Sequence, residues 1–258
     1  MEMNELKTKH FHLHYPVTVS DRMAKKVSGS LEHSYGRITG DIGGPALPVI
    51  NVYIHPNKES LKKAVGFYAQ GAIVGTGQIH LVKLKGISQL LISYEKLALH
   101  EFSHCATLNL LINNDLSSGK VASLDEWTAT YDSPDGPGFY HIYPRWLWES
   151  VACYEARQLN IMTLFISIVN GFPSLSVINS HGSKVYFMGY TVADFIVSRW
   201  GRGALNSLII ERGNLPDVLD ISEAQFSIAY RRFVYKKYFG WYYRFLQLSS
   251  GLRSINLL

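Results

Sequence analysis

His100-Glu101-Phe102-Ser103-His104 is the stretch of this chain whose residue types and spacing could do chemistry. On a helix, imidazoles four residues apart project from one face, so a single tetrahedral ion can accept a ring nitrogen from each. Glu101 follows the first imidazole and is turned away from the ion, yet close enough to hold a water and take its proton. That combination points to zinc-assisted hydrolysis. Two imidazoles and a carboxylate on a mostly apolar helix are costly to bury unless something binds them.

The run from Leu90 to Ile112 contains neither Pro nor Gly and carries the motif in its middle, which predicts a long buried helix. A catalytic zinc needs a third protein ligand and an open position for water. Pro144 to Tyr154 predicts a second helix, seated on the core by Trp146, Leu147, Val151 and Tyr154. Glu149 then stands in the middle of an apolar face, where a carboxylate calls for a metal or a cationic partner. Glu149 is therefore the expected third ligand, with Glu126 and His141 as alternatives. The ordinary role for Glu126 is a solvated carboxylate in a loop or at a helix start.

The pair HEFSH and PRWLWESVACYEA resembles the gluzincin clan of zinc peptidases, in which a W-L-x-E-G-x-A-x-Y helix follows the H-E-x-x-H helix and its Glu completes the site. More narrowly, the chain is similar to the small bacterial peptidase MA-like domains of that clan. The likeness extends to the Tyr-led segment from Tyr186 to Gly201 and the aromatic segment from Phe226 to Phe245. It departs from the pattern at Ser150, where the family usually has Gly, and in the longer stretch between His104 and Glu149. The resemblance implies a zinc site of His100, His104 and Glu149 with Glu101 as general base. It also implies a downstream Tyr, either Tyr186 or Tyr190, as donor to the oxyanion. By the same likeness the strand before the metal helix, Gly77 to Val82, is expected to be the sheet edge that binds an extended peptide. Aminopeptidases of the clan carry a Glu in that strand, and Thr76 to His80 has no carboxylate, so an endopeptidase is favoured.

The elements that must position these residues divide the chain in two. The fold class expected is α+β: a small N-terminal mixed sheet with helices over residues 1–92, packed on a mainly helical zincin-type subdomain over residues 93–258, with the active-site cleft between them. Strands are predicted at His10 to Tyr15, Pro48 to His55 and Gln78 to Leu84, and helices at Ser20 to Ile42 and Asn57 to Phe67. Beyond the metal helix, helices are predicted at Arg145 to Leu159, Ser183 to Arg199, Ala204 to Arg212 and Ser222 to Lys237. Asn113 to Tyr143 reads as a long loop bordering the cleft.

With 258 residues, 47% of them hydrophobic, the chain can bury one large core or two packed subdomains. Its net charge of +5 is dispersed, which argues against a nucleic-acid partner; a peptide or protein substrate is what the resemblance implies. Cys105 and Cys153 are the only cysteines and build no disulfide framework, which fits a reducing compartment. The N-terminus has no signal-like apolar stretch, and Ile161 to Val169 is too short to cross a bilayer. A soluble, cytoplasmic protein without a transmembrane segment is expected. His10, His12 and His14 alternate on a strand and could hold a metal, although scattered polar positions on an exposed strand face are the expected reading. Rival classes for the whole chain are a hydrolase of non-peptide substrates and a zinc-bearing binding or regulatory protein. Glu101 weighs against the second, because a structural zinc has no need of a general base.

Overall fold

Alternating side chains set the sheet. In β2 (Phe11–Pro16) and β3 (Ile50–His55), Phe11, Leu13, Ile50, Val52 and Ile54 point to one side and are at most 1% exposed, while His12, His14, Asn51, Tyr53 and His55 point to the other. The computed structural model describes residues 2–83, 93–131, 139, 143–169, 171–180 and 182–240. Its five-stranded mixed sheet also contains β1 (Met3–Lys7), β4 (Gly71–Val74) and β5 (Gln78–Val82), in the order β1-β2-β3-β5-β4. β2, β3 and β5 run parallel, and β1 and β4 pair antiparallel at the two ends.

Helix α1 (Asp21–Ile42) makes the crossover from β2 to β3. Ser20 caps it by accepting from Met23 N–H, and Gly43, at a φ of 79° that favours glycine, ends it. Helix α2 (Lys58–Val65) and β4 lie between β3 and β5 in the chain. Helix α3 (Tyr94–Ser117), capped by Ser93, packs against α1, β4 and β5, and on its other side against α5 (Arg145–Glu155) and α8 (Lys184–Ile210). It is buried nearly all round from Leu97 to Asn109, as expected of a helix crossing the middle of a molecule. Around it stand α4 (Leu124–Tyr131), α6 (Ile161–Val169), α7 (Leu175–Asn179), α9 (Leu215–Leu219) and α10 (Glu223–Tyr238). The backbone of α8 breaks at Gly201, whose φ is 84°. One continuous apolar core joins the sheet to the helices, from Phe11 to Phe239.

The fold is α+β as expected, and it differs in detail: the short helices α6, α7 and α9 were not predicted, and the segments predicted at Ser183 to Arg199 and Ala204 to Arg212 form the single broken helix α8. β1 and β4 are strands that the pattern did not predict: β1 is polar and mostly exposed, and β4 is short and begins with Gly. The predicted loop from Asn113 to Tyr143 is partly helical, because α3 continues to Ser117 and α4 follows; most of its remainder lies outside the described residues. β5 is an interior strand, hydrogen-bonded on both sides, so the expectation that Gly77 to Val82 forms the sheet edge is corrected: among the described residues the edge on that side is β4. No helix among the described residues is long and apolar enough to cross a membrane.

Candidate metal centre

Helical spacing and the α3/α5 crossing together bring three side chains to one point. His100 Nε2 lies 3.1 Å from Glu149 Oε2 and 3.2 Å from His104 Nε2, and His104 Nε2 lies 3.6 Å from the same Glu149 oxygen. All three residues are buried, at 4–5% exposure. Each ring is held from behind. His104 stacks on Trp148, with centroids 4.4 Å apart. His100 Nδ1 lies 3.0 Å from Gln158 Oε1 and 4.0 Å from Cys153 Sγ, so the amide oxygen is the partner that takes the Nδ1 proton and leaves Nε2 facing the cluster.

Gln158 was not foreseen, because the helix carrying Glu149 was expected to run to Leu159, whereas it ends at Glu155 and Gln158 follows in the turn beyond it. α5 ends with Gln158 N–H bonded to Cys153 O and Arg157 N–H bonded to Tyr154 O, the closing pattern that requires a left-handed residue between helix and exit. That residue is Arg157, at a φ of 52°, a conformation that costs a non-glycine residue about 1 kcal/mol or more. The Gln158 amide also donates to Lys96 O, and Lys96 Nζ donates to Arg157 O, which fastens this turn to the first turn of α3.

The electrostatics of the cluster call for positive charge. Burial raises the pKa of Glu149, but hydrogen bonds from His100 and His104 outweigh it and hold the carboxyl well below its ordinary range. Burial opposes charge on His100, yet its contacts with Cys153 and Glu149 raise it above the ordinary value. Burial lowers His104 to about 4. Two imidazole nitrogens and a carboxylate oxygen, within 4.8 Å of one another, form the donor set of a zinc site with three protein ligands, and the residues present therefore fit that ion.

Glu101 is 6% exposed, and burial, reinforced by Glu149 and opposed by His100, raises its pKa to about 7. Its neighbour is the edge strand. A Cβ at Gly71 would lie 2.4 Å from Glu101 Oε1, so only glycine lets β4 approach this carboxylate so closely. Ser150, which departs from the family pattern, is accommodated from the other side. Its hydroxyl donates to Trp146 O, and Gly189 of α8 supplies the missing space, since a Cβ there would meet Ser150 Cα at 3.2 Å and Cys153 Sγ at 3.3 Å.

Of the two candidate tyrosines, Tyr186 reaches the cluster. Its hydroxyl donates to Glu149 Oε1 at 3.3 Å and accepts from Arg145 Nη2 at 3.3 Å. Burial, then Glu149, raises its pKa. Tyr190, one turn on, packs its ring 5.3 Å from Tyr154 and has no described contact with the cluster. Glu126 is not brought there either. Its carboxylate accepts from Ala122 N–H at 2.7 Å at the start of α4. His141 lies outside the described residues. Cys105 and Cys153 are buried free thiols whose pKa values burial raises, as expected of packing residues. No protein-family model matches the chain, and no curated protein matches it significantly.

Proposed function

We propose that the chain is a zinc-dependent peptidase of the gluzincin type. The observation that carries this reading is the meeting of His100, His104 and Glu149 beside the buried carboxyl of Glu101 and the edge strand β4. Zinc, when bound, supplies a Lewis acid that polarises the scissile carbonyl and acidifies the attacking water. Glu101 accepts the proton of that water and returns it to the leaving amine nitrogen. Burial raises the pKa of this carboxyl, which makes it a stronger base for that transfer. Tyr186, steadied by Arg145, offers its hydroxyl to the charge that develops on the carbonyl oxygen.

The peptide is the substrate class that suits the strand. Among the described residues β4 has no second neighbour, so its outer backbone groups can pair with an extended chain laid along the site. Gly71 to Val74 carries no carboxylate to hold a substrate's amino group, which favours an endopeptidase just as the absence of one in β5 does.

Metal analysis of the purified, tag-free chain, with peptide-library cleavage in the presence and absence of chelator, tests the reading. Zinc should co-purify, and peptides should be cut only when it is present. Glu101→Gln should retain zinc while turnover falls about 100-fold or more. Tyr186→Phe should lower kcat at unchanged metal content, and Tyr190→Phe should not. Turnover of esters or phosphates but not peptides would assign a different hydrolase. A zinc-loaded chain that hydrolyses nothing would be a binding protein.

A further inference from the structure

The outer face of the sheet carries a second group of the same residue types. Glu5 of β1 pairs in register with His14 of β2, and strand alternation puts His12 on the same side. Glu5 Oε2 lies 3.2 Å from His12 Nε2, and Glu5 Oε1 lies 3.6 Å from His14 Nδ1. One donor atom from each residue lies within 4.8 Å of the others. His10, the third alternating histidine, is excluded: its Nδ1 lies 2.8 Å from Glu32, and its ring stacks on Tyr35.

The geometry of His14 is that of an oriented ligand. Asn51 Oδ1 lies 3.3 Å from His14 Nε2, which leaves Nδ1 as the ring nitrogen turned toward Glu5. The ring is also fixed in plane by stacking on Tyr53, with centroids 4.8 Å apart, and Tyr53 stacks in turn on His80. Lys7, paired with His12 in register, is exposed, so its long stem can keep the ammonium in water.

We infer that Glu5, His12 and His14 form a second site for a divalent transition metal ion, which fastens the terminal strand β1 to β2. Two imidazole nitrogens and one carboxylate oxygen suit zinc and its neighbours rather than magnesium or calcium. β1 pairs only with β2 among the described residues, so an ion held by both strands adds a second link to the least supported strand of the sheet. This inference does not depend on the proposed peptidase activity.

The experiment is a calorimetric titration of the metal-stripped, tag-free full chain with Zn2+ alone, alongside amide exchange of Met3 to Lys7. The wild type should take one more equivalent of zinc than His12→Ala/His14→Ala, and zinc should slow exchange in β1 of the wild type only. Glu5→Gln should weaken this additional binding. Equal stoichiometry in wild type and double variant, or β1 exchange indifferent to zinc in both, overturns the inference. The helical centre is separable: His100→Ala/His104→Ala should lose the other equivalent. If that variant does not fold, the comparison of wild type with His12→Ala/His14→Ala still decides.

Discussion

Two groups of two histidines and one glutamate stand in opposite surroundings. His100, His104 and Glu149 have side chains 5–6% exposed, whereas His12, His14 and Glu5 are 21%, 18% and 54% exposed. One is assembled by i,i+4 spacing on a helix and a crossing helix, the other by i,i+2 spacing on a strand and its hairpin partner. The donor sets are nearly alike, and burial makes the difference. Water can satisfy the exposed carboxylate, so that group is indifferent until an ion arrives. The buried carboxylate must always have a positive partner, whether a proton on His100 or a metal.

The largest expected effect tests that contrast directly. Glu149→Ala should abolish zinc binding and activity, and should destabilise the metal-stripped chain by about 3 kcal/mol, because it leaves buried polar partners uncompensated. Glu5→Ala in the same chelated protein should cost under about 1 kcal/mol. Denaturant titration of both variants makes the measurement, and equal losses would break the comparison. Glu126→Ala should leave zinc content unchanged. Zinc lost from that variant but kept by Glu149→Ala would transfer the third ligand to α4.

Next in size is the contact between the buried centre and the strand edge. Gly71→Ala forces a methyl to within 2.4 Å of Glu101 Oε1, so the strand or the carboxylate must move. Turnover should fall about 10-fold or more, since small displacements of a reacting group are amplified in rate, while zinc content is retained. Gly77→Ala, with nothing within 4 Å of its added Cβ, is the matched control and should behave as wild type. Identical kinetics for the two variants would show that Glu101 does not need β4 where it stands.

The meeting of His100, His104 and Glu149 was legible because its information is local. HEFSH sits within one helix, and Glu149 announces itself as a charge among Trp146, Leu147 and Val151. What was not legible depends on contacts between elements. Gln158 reaches His100 only because Arg157 turns the chain back at the end of α5. Gly71 matters only because β4, four residues of weak pattern, lies against α3. The sheet edge was misplaced for the same reason: the clear β5 pattern, QIHLV, belongs to a strand buried on both sides, and the true edge has little of its own to show. Glu5 joins His12 and His14 through a strand whose polar, exposed sequence gave no sign of pairing.

The smallest predicted effect concerns histidines of the outer face that stand outside both groups. Ser60 Oγ lies 3.4 Å from His55 Nδ1, His55 Nε2 lies 3.0 Å from His80 Nδ1, and His80 Nε2 lies 3.3 Å from Gln78 Oε1. The Ser60 hydroxyl donates to Asn57 O at 3.1 Å, and the two rings share a hydrogen bond that needs one proton between them. Charge on either ring is disfavoured because the pair is partly removed from water and each ring stands against the other. Burial, with His55 adding, accordingly lowers His80 to about 4, and burial lowers His55. In the unfolded chain His80 takes its proton near its ordinary value of 6.5. Between those values the unfolded state binds more protons, so the contribution to stability is complete above pH 6.5 and is lost as pH falls towards 4. After discounting for solvent around the partly exposed His55, the loss should be about 1 kcal/mol. Comparing denaturant midpoints at pH 7 and pH 5 for wild type and His80→Gln isolates it from the other acids and bases. The wild type should lose the larger share of its stability on acidification. Equal losses would mean that the stacked histidines tolerate charge, and that burial separates the two faces of this sheet less sharply than it separates the two groups of His and Glu.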